Sequence, residues 1–235
     1  MAADASWMSA YELASHAHFG LITEFLLENW SCYWDDTFAT KTVDTDVNFV
    51  FNPALRVTAS GIVTSSNAGA SFLSELNGEV ESPLQLLVQR MKNMAREMRD
   101  NRCTCNSEAD YPFLAFAAPL DSPDARLLPE PASRKLDPVA VLASLGAHAE
   151  LRASVSKCKL AAIVSEDADA GVSHRAFRAR VLEHLPELLG CDMLVFECGK
   201  GKLNPMPVFI VARLHGALVG FITAKVCTAT YAPRP

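Results

Sequence analysis

Val208-Phe209-Ile210-Val211-Ala212-Arg213, then Leu214-His215-Gly216, then Ala217-Leu218-Val219-Gly220-Phe221-Ile222-Thr223-Ala224-Lys225-Val226, is the stretch on which the fold turns. Its flanks are rich in valine, isoleucine and phenylalanine, residues that suit a pleated surface. Leu214-His215-Gly216 reads as a tight hairpin, with glycine where positive φ is required. Two long antiparallel strands therefore close the fold, preceded by a third at Met193 to Cys198.

Immediately upstream lies a helix. Ser173 is its candidate cap, Phe177, Val181, Leu182, Leu185, Leu188 and Leu189 face inward, and Gly190 provides the stop. Pro186 inside the pattern predicts a kink or an end to the regular part. Leu151 to Leu160 reads equally as helix or strand, and Leu160 to Val164 as a short strand. Asp137-Pro138 starts another helix that ends near Gly146. Pro119, Pro123, Pro129 and Pro131 mark the passage after Phe113 as a surface connection, neither helix nor strand.

The clearest helix start is Ser82-Pro83-Leu84-Gln85, with a cap, a proline in the first turn and a capping-box partner three residues on. Leu84, Leu87, Val88, Met91, Met94, Ala95 and Met98 form its apolar stripe. Methionines at this spacing suit either an adaptable groove or a core, and core is the plainer reading. Helices combined with closing antiparallel strands give an α+β class or a layered α/β/α arrangement.

The first eighty residues read as an α+β extension. Phe19, Ile22, Leu26 and Trp30 lie on one face of a helix from Ser6 to Trp30, followed by the aromatic cluster Trp30, Tyr33, Trp34 and Phe38. Val47, Phe49 and Phe51 alternate as in a half-buried strand, Asn52-Pro53 turns, and Leu55 to Val63 returns as the second arm of a hairpin. Thr64 to Gly69 has loop composition.

The chain has 235 residues, 50% hydrophobic and 20% charged, which excludes intrinsic disorder. Its net charge of −6 and pI near 5.5 argue against direct nucleic-acid binding. The densest basic run, Arg90, Lys92, Arg96, Arg99 and Arg102, is interrupted by Glu97 and Asp100 and reads as a solvated helix face. No run approaches the ~20 apolar residues of a membrane helix. The start lacks a basic, then apolar, leader pattern, and seven cysteines show no disulfide framework, so a reduced cytoplasmic location is expected.

Catalytic and metal readings find little purchase. No Gly-x-Ser-x-Gly elbow occurs, Cys103-Thr104-Cys105 lacks zinc-knuckle spacing, and His16 and His18 point to different helix faces. His174 and His184 read as surface histidines, and Cys191 and Cys198 as buried small hydrophobes. Asp35, Asp36, Asp44 and Asp46 are explained by solvation as well as by a cation. The expectation is a non-enzyme with no cofactor and no metal.

Two passages carry a family likeness. One is Ser107-Glu108-Ala109-Asp110-Tyr111-Pro112-Phe113 after an amphipathic helix, and the other is the closing hairpin. Together, over residues 82–228, they resemble the nuclease A inhibitor family. The resemblance implies a layered α/β/α domain that plugs the active site of a metal-dependent, non-specific endonuclease. It implies partner contacts at Glu108, Asp110 and Tyr111, and at Thr228 or Thr230 in the place of the family's terminal threonine. The alternative for Asp110, Tyr111 and Phe113 is structural, with the ring residues in the core.

This sequence departs from the family in its tail through Pro235, in Ser165-Glu166-Asp167-Ala168-Asp169, which has no tryptophan, and in its extension. The expected function is therefore a protein-binding subunit whose partner is a nuclease or a large assembly, the alternative being a structural subunit of such an assembly (cytoskeletal, ciliary or ribosomal) with no nuclease target. An undetected hydrolase is the remaining alternative.

Overall fold

A computed structural model describes residues 82–105, 111–119, 136–144, 152–164, 172–199 and 205–226, together with the backbone of five short strands between 41 and 65. The helix and aromatic cluster read at 6–38 and the acidic run 165–169 lie outside the described residues.

Helix α1, Pro83–Asp100, begins as its sequence dictates. The Ser82 hydroxyl accepts the Gln85 amide at 3.1 Å, and the Gln85 side chain accepts the Ser82 amide at 3.2 Å. Two otherwise orphaned donors are thereby satisfied reciprocally. The helix closes as a Schellman motif: Arg102 donates to Arg99 and Cys103 to Met98, with Arg102 at φ 53°.

Five strands form one antiparallel sheet. They are β6 (Leu114–Pro119), β7 (Val155–Lys157), β8 (Leu194–Cys198), β9 (Met206–Leu214) and β10 (Ala217–Lys225), in the order β6-β10-β9-β8-β7. β9 and β10 pair without a break from Ala217↔Leu214 to Lys225↔Met206. The two residues between them, His215 and Gly216, take φ of 50° and 73°, as the twist of a two-residue hairpin demands. β10 is buried from Ala217 to Ala224 and β9 from Met206 to Ala212. Both faces are covered, so these strands read as continuous apolar runs without polar alternation.

Pairing places Phe116, Gly220, Val211 and Leu194 in one cross-strand row, and Leu114, Ile222, Phe209 and Phe196 in another on the same face. Phe209 stacks on Phe196 at 5.1 Å and meets Phe116 edge-on at 6.3 Å. Glycine at 220 has a steric cause: a Cβ there would overlap the Ile210 carbonyl oxygen and lie 3.0 Å from Val211 Cα.

Three further helices complete the described part: α2 (Pro138–Ser144), α3 (Leu160–Ile163) and α4 (Val172–Leu189). Asp137 Oδ2 accepts the Ala140 amide at 3.0 Å and caps α2. α1 packs on β6 and β10, α4 packs on β9, and the two helices touch. α4 runs antiparallel to α1, since His174 at its start lies 3.1 Å from the Asn101 carbonyl at the end of α1. The core joins residues of α1, α2, α4, β6 and β8 to β10 in one cluster. The class is α+β.

Nearer the start, β1 (Lys41–Val43) pairs with β2 (Asp46–Asn48), and β3 (Val50–Asn52), β4 (Leu55–Val57) and β5 (Val63–Ser65) form a three-stranded antiparallel sheet. The predicted hairpin about Asn52-Pro53 is present. The alternating segment Val47 to Phe51 is divided between β2 and β3.

Several expectations are corrected. The proline-rich connection opens with strand β6, because an edge strand tolerates proline at its end and alanine where neighbours bury it. Thr64 and Ser65 lie in β5, paired to Arg56 and Leu55, and are not loop. Leu160 to Ile163 is a helical turn, after which Val164 bridges Cys105. Ser173 lies one residue inside α4, and Pro186 does not end that helix, which continues to Leu189. Cys191 is exposed, in the turn after Gly190.

Candidate functional site

Tyr111 is the predicted contact residue that the described structure includes. Its carbonyl oxygen accepts two hydrogen bonds, from the Cys105 amide at 3.3 Å and from Thr223 Oγ1 at 3.3 Å. Its ring is half-buried against the core, while Phe113 is buried at 2% exposure. The core reading therefore holds for Phe113 and half holds for Tyr111. Glu108, Asp110, Thr228 and Thr230 lie outside the described residues.

The support beneath Tyr111 is built from distant parts of the chain. Cys105, 1% exposed, bridges Val164, 0% exposed, in antiparallel fashion. Arg178 on α4 donates to the carbonyl oxygens of Val164 at 3.4 Å and Ala161 at 3.1 Å. A guanidinium is suited to this, because its donors are rigidly spaced and it satisfies the carbonyls that a short helix leaves at its end. The positions on either side of residues 106–110 are thereby tied to a helix and to the closing hairpin.

A second feature lies between the two long helices. Met94, Glu97 and Asn101 of α1 and its cap, and Phe177, Arg180, Val181 and His184 of α4, line a groove of about 460 Å³. Arg180 stands 5.1 Å over the Phe177 ring. His174 donates from Nδ1 to the Asn101 carbonyl, which as a pure acceptor fixes that tautomer. His184 Nδ1 likewise donates to the Arg180 carbonyl at 2.8 Å. Sequence reasoning missed this groove. Its one signal was the methionine stripe, which divides: Met91 and Met98 are fully buried, whereas Met94 lines the groove.

The chemistry of the buried side chains is quiet. Burial pushes the Cys103 thiol up to about 11, against a smaller opposing pull from Arg178. Cys198 is raised further by burial, with the charges of Glu197 and Cys158 adding to it. A protonated thiol is a poor nucleophile and a poor metal ligand at neutral pH. Glu197 and Lys225 meet at 3.4 Å across β9, with side chains 10% and 26% exposed, and they neutralise each other on the sheet.

Among the described residues, no three of His, Cys, Asp and Glu gather to hold a metal, and no helix is long and apolar enough to cross a membrane. No family model, curated protein or solved structure matches the chain.

Proposed function

We propose that this chain is a non-catalytic protein-binding subunit of nuclease A inhibitor type, whose contact is the segment around Glu108. The observation that carries this reading is the double anchorage of Tyr111. A binding loop gains affinity when its ends are held before the partner arrives, because less ordering entropy is lost on association. Residues 106–110 run between Cys105 and Tyr111, which are bonded to each other, to Val164 and to Thr223.

Glu108 and Asp110 give that segment two carboxylates. A desolvated carboxylate facing an arginine is a strong, directional interface element. The finer architecture proposed with it is the layered α/β/α body of the inhibitor family over residues 82–228, preceded by the extension 1–80 and followed by the tail 229–235. Thr228 and Thr230 are the second proposed contact. The partner class is a metal-dependent endonuclease, with no direct nucleic-acid or membrane contact and no cofactor. Cytoplasmic residence belongs to the same proposal.

The test is complex formation between the full chain and a purified sugar-non-specific endonuclease, followed by sedimentation. The parent chain is expected to form a stable complex. Glu108→Lys is expected to lose it while keeping the parent's thermal melt. Equal complex formation by both chains would remove Glu108 as the contact, and no complex with either would remove the nuclease as partner.

A further inference from the structure

The helix pair is basic in an acidic chain. Residues 83–102 carry five lysine and arginine side chains against two acids, and α4 carries three arginines against two glutamates. The opposite imbalance lies upstream. Residues 1–81 hold eleven acidic side chains and two basic ones, and residues 1–40 contain no lysine or arginine. Opposite charges on two parts of one chain draw them together at a high effective concentration.

The groove between α1 and α4 supplies a matching geometry. Phe177 and Val181 form a buried apolar floor, Met94 adds a polarizable edge, Arg180 and His184 stand exposed at the α4 rim, and Glu97 and Asn101 line the α1 side, which leaves the α4 rim as the place for carboxylates. Such a lining suits aromatic rings next to carboxylates, through sulfur–aromatic, cation–π and ion-pair contacts. One stretch of the acidic region has that composition: Trp30-Ser31-Cys32-Tyr33-Trp34-Asp35-Asp36.

We propose that the segment Trp30–Asp36 of the same chain occupies the α1/α4 groove, its rings against Met94, Phe177 and Val181 and its two aspartates towards Arg180 and His184. The connection is long enough. The sixteen residues 66–81 between β5 and the Ser82 cap span up to about 50 Å when extended, whereas α1 is on the order of 27 Å long. This docking is independent of the nuclease reading.

The sequence provides its own reporter, because all three tryptophans, Trp7, Trp30 and Trp34, precede residue 41. Acrylamide quenching of tryptophan emission in the full chain carrying Trp7→Phe therefore reads the segment and not the domain. In Arg180→Glu and in Met94→Glu the quenching constant is expected to rise about twofold as the rings pass into solvent, with unchanged far-ultraviolet circular dichroism. Asp35→Arg with Asp36→Arg, which leaves the domain untouched, is expected to do the same in the parent chain. Combined with Arg180→Glu, that pair is expected to restore protection. Parental quenching in the Asp35/Asp36 variant would overturn the proposal. So would protection that disappears on dilution of the parent, which would assign the groove to a second copy.

Discussion

Thr223, on the last strand, donates from Oγ1 to the carbonyl oxygen of Tyr111, 112 residues earlier, at 3.3 Å. This bond fastens the segment after α1 to the closing hairpin, and Thr223 is fully buried while making it. Thr223→Val preserves the branched shape and removes the donor. The Tyr111 carbonyl keeps the Cys105 amide, so it is not orphaned, and the loss should be about 1 kcal/mol. Urea unfolding measures it. Amide exchange at Cys105 should also quicken, since the shared acceptor is less firmly held; a variant with parental stability and exchange would deny the bond its role.

Gly220 and Gly216 make a contrasting pair. A Cβ at 220 would strike the Ile210 backbone, which has no room to yield inside a five-stranded sheet. Gly220→Ala is expected to cost about 3 kcal/mol or more. Gly216 has open space around it but sits at φ 73°, so Gly216→Ala should cost about 1 kcal/mol through the left-handed backbone alone. Chemical denaturation of both variants should give that order, and equal losses would contradict the steric account.

Arg102 occupies the left-handed position of the α1 Schellman motif at φ 53°, where glycine is usual. Arg102→Gly should therefore stabilise the domain, by about 0.5–1 kcal/mol once the unfolded chain's added freedom is subtracted. A rise in melting temperature is the expected result. A fall would show that the Arg102 side chain contributes more than its backbone costs.

Cys103 predicts the alkaline behaviour. Its thiol is pushed up to about 11 from an ordinary 9.0, chiefly by burial. Between those values the unfolded chain has lost a proton that the folded chain retains, so stability falls as pH rises through the window and is intact below it. The contribution is on the order of 2 kcal/mol. Urea midpoints taken below pH 9.0 and near pH 11 should differ by less in Cys103→Ala than in the parent; an equal difference in both would remove Cys103 as the cause.

What could be read in the sequence was local. The Ser82 box, the Asp137 cap, the Gly190 stop and the hairpin at His215-Gly216 are each decided by residues a few positions apart. β6 was hidden because Leu-Ala-Phe-Ala-Ala-Pro has weak strand propensity, and only its pairing with β10 makes it a strand. The Leu160 turn was obscured for a similar reason: its geometry is held by Arg178, eighteen positions beyond Leu160. The α1/α4 groove was illegible because it exists only where two helices about eighty residues apart lie side by side. Of the candidate contacts, Tyr111 could be named from the motif, whereas its anchorage by Thr223 required the fold.

Titration of an endonuclease of the non-specific, metal-dependent kind with the full chain tests the central claim most directly, with DNA cleavage as the readout. The account predicts that cleavage falls to its floor at one chain per nuclease, and that Glu108→Lys leaves cleavage untouched. Undiminished cleavage in the presence of excess parent chain would contradict it.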